Sequence, residues 1–145
     1  MPTDSADLSR FVEAQDRVYE QVLSELHSGR KTSHWMWFIF PQFAGLGSSD
    51  VSRFYAIKSI DEARAYLQHP ILGARLIESS EAVLAVTHRS AHEIFGSPDD
   101  MKLKSCMTLF ANISPAGSVF EKVLDKYYGA EQDSRTLQLI KDQTS

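Results

Sequence analysis

Two short blocks of the sequence combine residue types that could bind or transform a ligand. The first block reads HWMWFIFPQ, from His34 to Gln42, and the second reads SPDDMKLKS, from Ser97 to Ser105. Tryptophan can stack on a planar ring, a carboxylate can act as a general base, and lysine can hold a phosphate. These blocks are therefore the candidate functional segments.

The aromatic block has two interpretations, as part of the core or as the wall of a pocket. Tryptophan and phenylalanine bury large areas, so an aromatic run usually packs inside a protein. In the pocket interpretation, His34 and Gln42 form polar ends, and Trp35 or Trp37 stacks on a planar ring such as a base. Both interpretations hold if the block is buried on one side only.

The charged block also has two interpretations. Its serine, proline and two aspartates are typical of a capped helix start, where carboxylates favour the positive end of the helix dipole. In the functional interpretation, Asp99 or Asp100 acts as a general base or accepts a ribose hydroxyl, and Lys102 or Lys104 binds a phosphate. That role gains weight only if the fold brings this helix start next to His34.

No metal site or cofactor is predicted. His88 and His92 form the only histidine pair spaced by four residues, and Ser90, a predicted helix cap, lies between them. The single cysteine, Cys106, lies on an apolar helix face, which indicates a small buried hydrophobe rather than a nucleophile. The chain contains neither a phosphate loop nor a dinucleotide fingerprint.

Composition is typical of one globular domain. The 145 residues are 43% hydrophobic and 23% charged, which suffices for a core without disulfides. The net charge of -4 disfavours nonspecific nucleic-acid binding. The N-terminus lacks a signal-peptide pattern, and the longest apolar run, Trp35 to Phe40, is far shorter than the roughly 20 residues of a membrane span. A cytoplasmic location is therefore expected.

Hydrophobic spacing and capping signals predict an all-α fold of about seven helices, without a substantial sheet, as a compact bundle or short α-α superhelix. One long amphipathic helix is expected, with apolar positions from Leu8 to Leu26 and its end at Ser28-Gly29, and only Trp35 to Phe40 is compatible with a strand. Capping signals at Ser59–Glu62, Ser90–Glu93, Ser97-Pro98, Ser114-Pro115 and Asp133 predict the starts of later helices. The predicted helices are 50–57, 60–68, 70–87, 91–95, 98–112, 115–128 and 134–142. Residues 1–145 are expected to form a single helical domain, with tails at 1–6 and 143–145.

Five blocks of the chain resemble a known family: RFVEAQ, SHWMWFIFPQ with the following GLG, YAIKSIDEARAYLQHPILGARL, EIFGSPDDMKLKSCMTLF and FEKVLDKYYGAEQDSRTLQLI. They are similar to the bacterial and fungal domain of unknown function 1810, from Leu8 to about Ile140. The resemblance implies an α-helical fold and no established activity. Members of that family sometimes carry the label calpastatin, but nothing in this chain looks like disordered inhibitor repeats.

A second pattern is similar to proteins that act on NAD and ADP-ribose, including riboflavin-pathway N-glycosidases. It consists of Pro70 with Gly73, Lys102, Met107, Phe110 and Leu137-Gln138-Leu139. This similarity implies a nucleotide or ADP-ribose type of ligand.

Two functional hypotheses follow. In the first, the protein is a small hydrolase or N-glycosidase-like enzyme that acts on a nucleotide or ADP-ribose type of ligand. Trp35 or Trp37 stacks on the base of the ligand, and Asp99 or Asp100 activates water. Arg30, Lys102 or Lys104 holds the phosphate of the ligand. It requires these side chains to converge on one pocket. In the second, the protein is a non-catalytic ligand-binding or protein-binding module that uses the segment from His34 to Gln42. The expected partner is a small nucleotide-like molecule. No association with a membrane is expected, and the chain is expected to be a monomer or homodimer.

Overall fold

Helices account for nearly all regular structure in this protein. The computed structural model describes residues 3–144, with side chains from Leu8 to Gln143, and this part of the chain contains ten helices. They are α1 (Thr3–Asp16), α2 (Tyr19–His27), α3 (Met36–Ile39), α4 (Asp50–Tyr55), α5 (Ile60–Gln68), α6 (Leu72–Ala85), α7 (Ala91–Phe95), α8 (Asp99–Ala111), α9 (Val119–Tyr128) and α10 (Ser134–Thr144). The all-α prediction is confirmed, but the expected number of about seven helices is too low.

The expected long first helix is divided into α1 and α2. Val18, at the break, has a φ of -132°, outside the helical range. Just before the break, the buried amide of Gln15 donates to the carbonyl oxygen of Phe38 at 2.8 Å and to the hydroxyl of Tyr66 at 3.0 Å. These partners are distant in sequence, so the apolar spacing of the two helices could not reveal the break.

The aromatic block forms a short helix rather than the strand that its sequence also allowed. Helix α3 spans only four residues, and Trp35 precedes it with a non-helical backbone. The single bridge in the described chain is parallel and joins Phe43 to Ile57, just after this block. No sheet forms in residues 3–144.

Local capping signals located several helix starts correctly. Ser90 and Glu93 form the predicted capping box at α7, with each side chain accepting from the backbone N–H of the other. At α5, the Ser59 hydroxyl accepts from the N–H of Glu62, as predicted. The Glu62 carboxylate, however, accepts from the backbone N–H of Lys58 and not from that of Ser59. The latter motif is therefore only half of a capping box.

The two predictions of a proline in the first helical position are wrong. Pro98 occupies the N-cap position itself, and α8 begins one residue later, at Asp99, without a side-chain cap from Ser97. After the second serine–proline pair, α9 begins only at Val119, because Ser118 supplies the cap. In both cases the proline lies outside the helix.

Helix α8 runs through the centre of the fold. It packs against α5, α7, α9 and α10, and every residue from Leu103 to Phe110 is buried. Cys106 is among them, and burial raises the pKa of its thiol well above the ordinary value. This confirms the interpretation of Cys106 as a small buried hydrophobe.

The single domain with tails at 1–6 and 143–145 stays a prediction. Residues 3–6 belong to α1, and 143–144 belong to α10, whereas residues 1–2 and 145 lie outside the described residues. None of the described helices combines the length and apolar character that crossing a bilayer requires.

Gly73 allows α6 to start directly against the end of α5. A Cβ atom at this position would lie 2.0 Å from the carbonyl oxygen of Leu67, far inside van der Waals contact. The obstacle is backbone, which cannot rotate away as a side chain could. The close approach of these two helices therefore depends on glycine.

We expect Gly73→Ala to lower the free energy of unfolding by about 2–3 kcal/mol, because the new methyl group overpacks this contact. Helix propensity alone would predict a gain of up to about 1 kcal/mol. Urea denaturation measures the difference. The control is the exposed neighbour Ala74→Gly, which should lose no more than about 1 kcal/mol. A Gly73→Ala variant as stable as the wild type would contradict the contact.

Candidate functional site

A buried carboxylate organises the segment that leads into α3. Glu25 is only 4% exposed. Its Oε1 atom accepts from the backbone N–H groups of Thr32 and Ser33 at 2.8 and 3.0 Å, and from the indole N–H of Trp35 at 2.9 Å. Its Oε2 atom accepts from the Gln21 amide at 2.8 Å and from the Ser33 hydroxyl. The segment therefore folds around this side chain.

The same hydrogen bonds keep Glu25 ionised. Burial raises the pKa of its carboxyl group, but the donors from Ser33, Gln21 and the backbone outweigh burial and hold the pKa well below its ordinary value of 4.5. Bonds to a charged acceptor are also stronger than those between neutral groups. An anion is thus stabilised in the interior by oriented dipoles.

The two tryptophans of the aromatic block point to opposite sides. Trp35 is 1% exposed and packs among Phe40 and Phe95, with ring centroids 6.2 and 6.4 Å away. Trp37 is partly exposed and lines two cavities. Of the two predicted ligand-stacking residues, Trp35 therefore belongs to the core, and Trp37 faces the surface. The core and pocket interpretations each describe one side of the block.

The two cavities lie on either side of a shared wall. The first cavity, of about 280 Å³, is lined by three aromatic residues, Trp37, Phe43 and Tyr55, and by the cations Arg53 and Lys58. The second cavity, of about 320 Å³, has a lining that includes Met101, Lys102, Ser105 and Asp133. Four residues line both cavities: Trp37, Gln42, Leu46 and Gly47. We refer to the two cavities together as the groove.

The loop from α3 to α4 shapes the first cavity. Its bridge is closed by two hydrogen bonds, from Ala44 N–H to the Ile57 carbonyl at 2.8 Å and from Ile57 N–H to the Gln42 carbonyl at 2.9 Å. Farther along the loop, a Cβ atom on Gly47 would lie 2.7 Å from both Cβ and Oγ of Ser52. The absence of a side chain at Gly47 therefore lets the loop approach α4, which carries Arg53.

An ion-pair triad positions Lys102 over the shared tryptophan. The Asp99 carboxylate lies 3.1 Å from the Lys102 ammonium and 2.8 Å from that of Lys31. Burial raises the pKa of Asp99, but its contacts with Lys31 and Lys102 outweigh burial and lower it overall. The Lys102 ammonium also lies 3.8 Å from the Trp37 ring centroid, a cation–π contact. Asp99 thus acts in the described structure as a shared counterion.

The predicted catalytic residues do not converge on the groove. Neither Asp99 nor Asp100 is among the described residues that line its cavities. One Asp100 oxygen lies 3.5 Å from Nδ1 of His92, and the Asp100 carbonyl accepts from the Tyr128 hydroxyl at 2.5 Å. His34 is exposed and lines neither cavity.

Of the predicted ligand-binding residues, Trp37, Gln42 and Lys102 come together at the groove. Arg30 is exposed and lies outside both linings. Lys104 is largely buried and pairs with Glu131 instead. The groove therefore brings together three of the six residues predicted to bind a ligand.

Several lining residues were not predicted from the sequence. Arg53, Tyr55 and Lys58 reach the first cavity because the segment that follows α4 runs back along residues 42–44, where Ile57 bonds to Gln42 and Ala44. That contact is non-local and has no periodic signal. Asp133 was predicted only as a helix cap, a role that its hydrogen bond from the Thr136 N–H at 3.0 Å confirms.

Metal ligands do not cluster in the part of the chain that the structure describes, since no three His, Cys, Asp or Glu side chains there could share an ion. The groove thus offers aromatic rings, ammonium and guanidinium groups, one amide and one carboxylate for recognition.

Comparisons with known proteins identify a family but no activity. Residues 5–140 match the profile of a family described as protein of unknown function (DUF1810). The chain is also similar to the conserved hypothetical protein Rv1873 from Mycobacterium tuberculosis, a solved crystal structure, with 54% sequence identity and a TM-score of 0.91. The match covers 93% of this chain and 96% of that one. No curated protein matches.

We expect Glu25→Gln to lower the free energy of unfolding at pH 7 by roughly 2–3 kcal/mol, because the donors around the carboxylate lose their charged acceptor. The pKa of Glu25 is depressed in the folded state, so its stabilising contribution is fully present above about pH 4.5 and is lost progressively as the pH falls below that value. The difference between wild type and variant should therefore narrow in acid. Urea denaturation at several pH values measures it.

The matched control is Glu20→Gln, an exposed glutamate on the same helix, which should change the stability little at any pH. If the stability difference for Glu25→Gln stayed constant from pH 7 to pH 3, the buried carboxylate would not be ionised as described.

Proposed function

Since the chain belongs to the DUF1810 family, whose description carries no activity, we propose from its geometry that it binds a small nucleotide-type ligand in the first cavity. The observation that carries this proposal is the combination of an aromatic lining with two cations at one cavity. The first feature suits a planar ring, and the second suits a phosphate.

The aromatic part of the lining supports recognition of a base. Trp37, Phe43 and Tyr55 come from α3, the following loop and α4, and most of the exposed lining is apolar. Stacking of a base on such a ring is typically worth about 1–3 kcal/mol. Gln42 adds an amide donor and acceptor, the kind of group that fixes the orientation of a ligand in an apolar site.

The charged part of the lining supports recognition of an anion. Arg53 and Lys58 line the first cavity, and both side chains are exposed, so a phosphate could reach them from solvent. The chain as a whole carries a net charge of -4, so two cations at one cavity are a local feature and do not follow from an overall positive charge. Arginine can also bind a phosphate in a bidentate manner.

Binding has more support than hydrolysis. A hydrolase or N-glycosidase needs a carboxylate beside the reacting bond. No carboxylate is among the described residues that line the first cavity, and Asp99 is engaged with two lysines outside it. The catalytic roles of Asp99, Asp100 and His34 stay predictions, which incubation with the ligand and chromatography of the products would test.

A small ligand also has more support than a protein partner at the aromatic block. Most of its apolar side chains are buried, namely Trp35, Met36, Ile39 and Phe40. A protein partner that docked on this segment would therefore meet only the partly exposed rings of Trp37 and Phe38. The partly enclosed first cavity is better suited to a molecule of nucleotide size.

We expect AMP or ADP to raise the melting temperature of the wild-type protein, because a ligand that binds only the folded state stabilises it. In Trp37→Ala, the affinity should fall by about tenfold or more, since the stacking contact is lost. Lys58→Met should weaken ADP binding by removing a phosphate contact. Thermal-shift titration and calorimetry measure these changes.

The control is Ile77→Ala on α6, which removes an apolar side chain that is 39% exposed and lies outside both cavity linings. It should bind the nucleotides as the wild type does. The proposal fails if the wild type shows no shift with millimolar AMP or ADP, or if Trp37→Ala binds them with unchanged affinity.

A further inference from the structure

We propose that the second cavity is a sugar subsite, so that the ligand is a nucleotide that carries a further sugar. This inference rests on the proposed function, because the two cavities share the wall formed by Trp37, Gln42, Leu46 and Gly47. A ligand whose base lies in the first cavity could thus extend past Trp37 into the second.

The lining of the second cavity differs in charge from that of the first. Lys102 offers donors, Asp133 offers an acceptor, and their charges are opposite, whereas Arg53 and Lys58 in the first cavity are both cations. A phosphate in the second cavity would meet the carboxylate of Asp133 and be repelled. Neutral hydroxyl groups can donate to that carboxylate and accept from the ammonium, as a ribose diol donates to an acidic residue in dinucleotide sites.

Asp133 combines a structural role with an unused oxygen. Among the described residues, three hydrogen bonds reach its carboxylate, and all of them end on Oδ2: from the Thr136 N–H at 3.0 Å, the Thr136 hydroxyl at 2.5 Å and the Ser105 hydroxyl at 3.2 Å. This oxygen caps the start of α10. The other oxygen, Oδ1, retains its capacity to accept from a hydroxyl group of a ligand.

Lys102 is held at the second cavity without being neutralised. Its ammonium lies 3.1 Å from Oδ1 of Asp99, but Lys31 shares the same carboxylate at 2.8 Å. An ammonium has three N–H donors, and the bond to Asp99 uses one of them. The remaining donors can therefore serve a sugar hydroxyl, with Asp99 and Lys31 acting as positioning residues.

The apolar remainder of the second cavity also suits a sugar ring. Leu46, Met101 and the Trp37 ring contribute apolar surface beside the polar groups, and the C–H face of a sugar can pack against such surface. The volumes of about 280 and 320 Å³ lie near the lower end of the range for ligand sites, so each cavity accommodates one part of a ligand.

The test compares ADP with ADP-ribose and ADP-glucose, which add a further sugar, by calorimetry. The wild type should bind at least one of the sugar nucleotides about tenfold more tightly than ADP. In Asp133→Asn, this advantage should disappear. Asparagine caps helices as well as aspartate does, but its NH₂ group would replace the free acceptor with a donor. Asp61→Asn, an exposed carboxylate outside the groove, is the control and should keep the advantage.

Circular dichroism establishes whether each variant folds. If Asp133→Asn does not fold, Lys102→Met carries the test, because it removes the donor while Asp99 keeps its pair with Lys31. It should also lose the sugar advantage. If the wild type binds ADP and both sugar nucleotides with equal affinity, the sugar subsite alone is overturned. The same conclusion follows if a folded Asp133→Asn or Lys102→Met variant still binds a sugar nucleotide more tightly than ADP. If the wild type binds none of the three ligands, the proposed function is overturned as well.

Discussion

The buried carboxylate of Glu25 determines how the chain enters its most aromatic segment. Its hydrogen-bond donors in the described part of the chain are two backbone amides, a hydroxyl, a side-chain amide and an indole, and none of them is a cation. An anion in the interior is tolerated only when such donors replace its hydration. Because one of the donors is the indole of Trp35, satisfying the carboxylate also draws that ring inward. Trp37, two residues later, is then left at the surface, where it separates the two cavities.

A second ionic cluster connects the same segment to the central helix. Lys31 comes from the loop that Glu25 organises, whereas Asp99 and Lys102 belong to the first turn of α8. The triad therefore joins two elements that meet at the groove, and it orients Lys102 over Trp37. Partly buried ion pairs of this kind contribute little to stability on average, because desolvation offsets the attraction. Their clearer effect is geometric, since they restrict where the ammonium of Lys102 can lie.

The sequence predicted the features that depend on neighbouring residues. The capping box of Ser90 and Glu93, and the cap at Asp133, are encoded within four positions and appear in the structure as expected. The division between α1 and α2 could not be predicted in this way, since Gln15 bonds to residues far along the chain. The same limitation applies to the groove. The aromatic block was recognisable, but its orientation depends on Glu25, and its companions Arg53 and Lys58 arrive through the non-local bridge after α3.

The ion pairs of Asp99 bear on its predicted role as a general base, which stays a prediction. A general base works best when its pKa lies near the working pH, and the two lysines lower the pKa of Asp99 instead. A carboxylate that is held ionised by two cations accepts a proton poorly, yet it fixes those cations well. The block beginning at Ser97 therefore contributes Lys102 to the groove, and its Asp99 restricts where that lysine lies. Asp133, outside both of the predicted blocks, is the carboxylate that lines the second cavity. The two sides of Trp37 accordingly differ in charge, with two cations lining the first cavity and a lysine together with a carboxylate lining the second.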